Sequence, residues 1–120
     1  VKHMIAASLA VAAVLSTAPV AAEDVRSQDR YTLARVDGSG ERREVTLDCV
    51  TARGTHPRAG EACDAIAESG SISGVTAESG AFCTMEHAPV TARAEGAEEY
   101  EETFGNSCVL RSAKGPVFDF

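Results

Sequence analysis

The sequence predicts an α+β domain, a mainly antiparallel sheet with one definite helix packed on it. Three features point that way. Two runs of alternating polarity are joined by an Asp-Gly-Ser-Gly link, and a stretch with apolar residues at three- and four-residue spacing stops at a glycine. A second pair of short alternating runs lies nearer the C-terminus. No internal repeat or low-complexity segment interrupts this order.

Residues 1–22 precede the domain. Lys2 and His3 form a short basic start, residues 4–15 are an apolar run rich in Ala, Val and Leu, and residues 16–22 bring small residues and Pro19. That order predicts a secretory signal peptide cut after Ala22, with Val20 and Ala22 at the small-residue positions before the cut. The run is shorter than the about 20 apolar residues of a membrane span. Val1 fits a literal translation of an alternative start codon. The expected organisation is a signal peptide at 1–22 and one domain at 23–120.

Within the domain, residues 31–36 set Tyr31, Leu33 and Arg35 against Thr32, Ala34 and Val36. Residues 43–50 set Val45, Leu47 and Cys49 against Glu44, Thr46 and Asp48. Two antiparallel strands turning through residues 37–40 are the simplest arrangement. Residues 51–60, with two glycines and Pro57, read as a loop. A helix follows over 61–69, where Ala62, Cys63, Ile66 and Ala67 share a face, Glu61 suits the first turn and Gly70 the stop. Residues 71–80 are rich in Ser and Gly and suggest one short helical turn at most. Residues 90–94 and 99–104 read as a second hairpin. Val117 and Phe118, after Pro116, suit a final edge strand.

The chain carries 11 basic and 18 acidic residues, a formal charge of −7. Removing residues 1–22 takes only Lys2 and leaves 10 against 18, or −8. Such an acidic domain suits neither nucleic acid nor an anionic membrane, both of which demand clustered Lys and Arg. The four cysteines, Cys49, Cys63, Cys83 and Cys108, lie beyond the leader, so export predicts two disulfides. Spacing alone leaves all three pairings open. With six aromatic residues and no Trp the core must be modest, and cross-links must compensate.

Enzymatic constellations are scarce. His56 and His87 are the only histidines beyond the leader, and no G-x-S-x-G element is present. The cysteines lack zinc-ligand spacing, and the acidic run at 98–102 lacks the order of an EF-hand. Neither a catalytic residue, a metal nor a cofactor is expected. His56, before Pro57, reads as a loop histidine that ties a turn. The acidic stretch 95–102 could serve a secreted binding module as a face for a basic partner. The remaining candidate is the segment 81–89, in which a flexible apolar Met85 stands two residues after Cys83 and four before Pro89. On spacing alone, a Met beside a Cys is equally a core strand.

Gly54-Thr55-His56-Pro57, Gly60, Ala62-Cys63, Phe82-Cys83-Thr84-Met85, Pro89-Val90, Phe104, Asn106, Cys108, Val117-Phe118 and Phe120 occur in an order that closely resembles the Streptomyces subtilisin inhibitor family, from about Tyr31 to Phe120. The resemblance implies a five-stranded antiparallel sheet with helices on one side, and secreted inhibition of subtilisin-like serine proteases. It implies a Cys49 to Cys63 bridge and a Cys83 to Cys108 bridge. It further implies a protease-binding loop of Phe82, Cys83, Thr84, Met85, Glu86 and His87 whose reactive bond joins Met85 to Glu86, and a homodimer through the sheet. The chain departs from the pattern in three places. Thr84 stands where many relatives carry Pro, Glu86 adds a charge on the leaving side, and residues 90–100 are shorter than in familiar relatives and lack a Trp often found there.

Overall fold

The structure, a computed structural model, describes residues 10–15, 28–76 and 82–120. Of the expected leader, residues 10–15 have no regular secondary structure, and Val11, Val14 and Leu15 are exposed. The rest of it, with the expected cleavage site, lies outside the described residues. No helix among the described residues is long and apolar enough to cross a membrane.

Four strands form one antiparallel sheet: β1 (Arg30–Asp37), β2 (Arg42–Asp48), β3 (Val90–Gly96) and β4 (Tyr100–Phe104), in the spatial order β2-β1-β3-β4. Among the described residues two helices, α1 (Ala59–Ser69) and α2 (Ser107–Lys114), join the sheet in an α+β architecture. Leu33 pairs with Val45 and with Ala94, and Tyr31 with Leu47, so the alternation puts these side chains on one face. That face meets Ala62, Cys63 and Ile66 of α1 and Leu110 of α2 in a single core. Ala92 and Ala94, both buried, keep the centre of the sheet low beneath the helices. The opposite face is polar, with a cross-strand row of Glu44, Ala34, Arg93 and Glu101.

The β1-β2 turn is organised by Asp37. Its Oδ1 accepts from the Ser39 N–H (2.9 Å), the Ser39 hydroxyl (2.6 Å) and the Glu41 N–H (3.0 Å). At the other end of β2 the Gly-Thr-His-Pro segment covers a sheet edge that would otherwise offer free backbone groups. Thr55 Oγ1 accepts from the Thr46 N–H (2.8 Å) and Thr46 Oγ1 from the Thr55 N–H (3.1 Å), while the His56 N–H donates to the Thr46 carbonyl (3.1 Å). Gly54 sits at φ +122°, and a Cβ there would lie 2.3 Å from the Thr46 carbonyl oxygen. No other residue fits so close to the strand.

His56 is buried and accepts the Arg58 N–H at Nδ1 (2.9 Å), which leaves Nε2–H to donate to the Val117 carbonyl (2.9 Å). It is a structural histidine that ties this loop to the C-terminal segment. The Cys49 to Cys63 bridge then fastens the end of β2 to α1.

Two expectations are corrected. The described residues form four sheet strands rather than five. Val117 and Phe118 are buried, but their segment is a run of turns in which the Val117 N–H bonds to the Lys114 carbonyl (3.2 Å) and the Asp119 N–H to the Pro116 carbonyl (3.3 Å). Amides spent on such local bonds are not free for a ladder. The described part of 71–80 contains a single turn, closed by the Val75 N–H on the Ile72 carbonyl and within what its composition allows, while the second helix, α2, forms at Ser107–Lys114, where no helix was expected.

Candidate functional site

The segment 82–89 leads into β3 without regular secondary structure, and it carries the largest exposed apolar side chains of the folded domain. Phe82 and Met85 are 102% and 99% exposed. An exposed Phe three residues from an exposed Met gains nothing for folding, which marks a surface made for contact.

The backbone beneath these side chains is held at three points. The Cys83 to Cys108 bridge joins the segment to the first turn of α2, with Cα atoms 5.6 Å apart. The Ala88 N–H donates to the Gly105 carbonyl (2.9 Å). Between them stands Asn106, only 8% exposed, whose Nδ2 donates to the carbonyls of Thr84 (3.1 Å) and Glu86 (2.9 Å). Its Oδ1 accepts the Val109 N–H (2.9 Å) and caps α2. The amide orientation is therefore fixed, because a flip would turn the oxygen onto two carbonyls and a donor onto an N–H. Asn106 grips the chain on both sides of Met85 while Met85 itself projects into solvent.

All six residues expected in the loop, Phe82, Cys83, Thr84, Met85, Glu86 and His87, thus fall in one tethered segment, and both disulfide pairings implied by the resemblance are present. Asn106 was legible only as part of a resemblance. Its cap role had a local signal, an Asn ahead of a helix ending at Gly115, but its bonds to carbonyls 20 and 22 residues away had none.

The acidic stretch does not assemble into one face. Glu98 accepts the N–H groups of Ile72 (2.5 Å) and Ser73 (3.0 Å), Glu101 pairs with Arg93 (3.3 Å), and Glu102 accepts the Tyr100 hydroxyl. Among the described residues no group of three or more His, Cys, Asp or Glu side chains is arranged to hold a metal.

The sequence profile of the subtilisin inhibitor-like family matches residues 27–106. The chain belongs to that family. It is 43% identical over 90 residues to the transglutaminase-activating metalloprotease inhibitor of Streptomyces mobaraensis, an alignment covering 68% of this chain and 61% of that protein. It is 42% identical over 90 residues to protease inhibitor SIL-V2 of Streptomyces orinoci, covering 68% and 83%. A subtilase-type protease inhibitor of Streptomyces coelicolor is 42% identical over 85 residues, covering 65% and 59%. The chain thus spans about three fifths of the length of two of these relatives. Members of the family so named are protease inhibitors, not enzymes.

Proposed function

We propose that the protein inhibits subtilisin-like serine proteases by offering residues 82–87 as a substrate that is held rather than released, with the Met85-Glu86 bond at the protease's serine. The observation that carries this is the Asn106 amide bonded to the carbonyls on either side of a fully exposed Met85. In an extended chain alternate carbonyls point the same way, so drawing those of Thr84 and Glu86 inward turns the Met85 carbonyl toward an attacking hydroxyl.

The backbone pairs with the protease as an added strand while Met85 fills an apolar pocket. The loop already has its bound shape, so little conformational entropy is lost on association. When the serine oxygen attacks the Met85 carbonyl carbon, the bond to the Glu86 nitrogen breaks and that nitrogen leaves as an amine. Cys83 bridged to Cys108 and Asn106 bonded to both flanks keep the amine beside the acyl ester. It attacks back, the peptide bond re-forms and the serine is restored.

The leader is proposed to export the chain to the extracellular space as a signal peptide. A homodimer through the sheet would use its polar outer face, where Arg93, Glu44 and Glu101 make association sensitive to salt. Sedimentation at low and high ionic strength tests it.

Titration of subtilisin with the folded protein tests the function. Activity should fall stoichiometrically, with slow cutting at Met85-Glu86 alone, detected by mass. Met85→Asp should abolish inhibition by forcing a charge into an apolar pocket, and Met85→Lys should move preference toward trypsin-like enzymes, whose pocket holds an Asp. Undiminished subtilisin activity in excess protein would refute the proposal. Because the Streptomyces mobaraensis relative is named for a metalloprotease, a metalloprotease titrated in parallel tests the target class.

A further inference from the structure

The first turn of α2 bears two of the loop's tethers, and that turn is itself tied down by a side chain from the sheet. Arg35 lies on the packed face of β1, where its alternation with the buried Leu33 calls for an apolar residue. Its partner in β3 is the buried Ala92, whose single methyl leaves room for a long stem. The guanidinium then reaches two acceptors. Nη1 donates to the Phe120 backbone oxygen (2.6 Å) and Nη2 to the Ser107 hydroxyl (3.0 Å).

This arginine is placed at a cost. Arg43 stands directly opposite it in β2, a like charge across the strand pair. The guanidinium also meets the N-terminus of α2, the positive end of the helix dipole. Its Nε is buried without a hydrogen-bond partner among the described residues. Burial first, then Arg43 and Arg111, lowers its pKa, with Asp119 opposing them. A Leu or Met at 35 would cover the same face without these penalties, so packing alone does not account for the charge.

Arg35 secures the residue between the two tethers. Ser107 opens α2, with Asn106, which holds the Thr84 and Glu86 carbonyls, on one side and Cys108, bridged to Cys83, on the other. A helix end frays readily because its first N–H groups have no partners within the helix. Tethers fixed to a turn that moves let the loop move with it. From Arg35 to the loop backbone the path is one hydrogen bond, one peptide link and the Asn106 amide.

We propose that Arg35 is a positioning residue for the protease-binding loop: by holding Ser107 it anchors to the sheet the turn that carries both tethers, so that the acyl end and the new amine stay aligned and rejoining outruns release. This rests on the reading of Met85-Glu86 as the reactive bond. A looser turn lowers the effective concentration of the amine at the acyl ester.

The test compares wild type, Ser107→Ala, Arg35→Met, the double variant and, as a core control on the other helix, Ile66→Ala. Each is incubated with subtilisin equally far below its own unfolding temperature. Ser107→Ala removes one acceptor and leaves the bond to Phe120 in place. It should still titrate the protease at first yet be nicked at Met85-Glu86 about fivefold faster, the scale of coupling through one packed network. Arg35→Met should be nicked at least as fast, and the double variant no faster than Arg35→Met, because both changes remove the same contact. Ile66→Ala should be nicked at the wild-type rate. Wild-type nicking of Ser107→Ala, accelerations that multiply in the double variant, or equal acceleration in Ile66→Ala overturns the proposal. If Arg35→Met fails to fold, Ser107→Ala against Ile66→Ala carries the test. If the wild type does not inhibit at all, the function reading fails separately, and amide exchange still decides the anchor. Ser107→Ala should then speed exchange at Val109, whose N–H Asn106 caps, but not at Leu33, and an unchanged Val109 rate refutes it.

Discussion

Asn106 performs two tasks with one amide, and substitution separates them. Its Oδ1 caps α2 and its Nδ2 holds the Thr84 and Glu86 carbonyls. Asp at an N-cap is as good as Asn, so Asn106→Asp should keep the helix and lose only the stability that the two loop bonds supply. The second carboxylate oxygen would face two carbonyl oxygens, however, and repel them. We expect Asn106→Asp to be digested by subtilisin at least ten times faster than wild type, a change of about 1.4 kcal/mol, while its circular dichroism is unchanged. Asn106→Ala should lose cap and loop together and fall in stability by about 2 kcal/mol in urea unfolding. Digestion of Asn106→Asp at the wild-type rate would leave the residue a cap and nothing more.

At the scale of the elements, what was legible in the sequence followed the strength of the local signal. The strands from Tyr31 to Phe104 were readable because each alternates across a sheet with one polar and one packed face. Helix α1 was readable because Ala62, Cys63 and Ile66 return at helical spacing before Gly70. Helix α2 escaped because one buried apolar residue, Leu110, marks its stripe, and Lys114 occupies the next place on it. The end signals, Asn106 and Gly115, were present without a periodic run between them. Val117 and Phe118 misled in the opposite way, being as apolar as a strand requires but wound into turns. The Gly54 loop supplies a prediction of its own. Gly54→Ala must move either the loop or β2, because φ is positive and the Thr46 carbonyl occupies the Cβ position. A loss of about 3 kcal/mol or more is expected in denaturant unfolding, and a loss under 1 kcal/mol would show that the edge is not covered so tightly.

The whole molecule is small enough that its cross-links and a few titrating groups decide where it is stable. Each bridge closes a loop worth about 3 kcal/mol in the chain-entropy model, against a net stability of about 5 to 15 kcal/mol for a domain. The bridges differ in consequence. Replacing Cys49 and Cys63 by Ala should lower stability and spare the proposed inhibition in the cold, whereas replacing Cys83 and Cys108 should leave the loop to be cut as an ordinary substrate while the core stays folded.

The pH limits follow from groups at opposite ends of the scale. The Ser39 hydroxyl, followed by the backbone N–H groups of the turn, holds the Asp37 carboxyl below its ordinary value. Its contribution is complete above the unfolded pKa of about 3.9 and disappears as pH falls through the lower folded value. At the alkaline end, burial first raises the Tyr100 hydroxyl, with the bond to Glu102 adding to it, and burial next to Glu98 and Asp29 raises Tyr31. These are the only two tyrosines of the chain. For a raised pKa the stabilisation is present below the unfolded value of about 10 and is lost as pH climbs toward the folded ones. The protein should therefore show less phenolate absorbance at a pH of about 10 than free tyrosine, which is half ionised there. Both phenolates should then appear at higher pH. Asp37→Asn should flatten the acid limb of unfolding temperature against pH and leave the alkaline limb in place. Half-ionised tyrosines at a pH of about 10 in the folded protein would contradict the burial of both rings against their acidic neighbours.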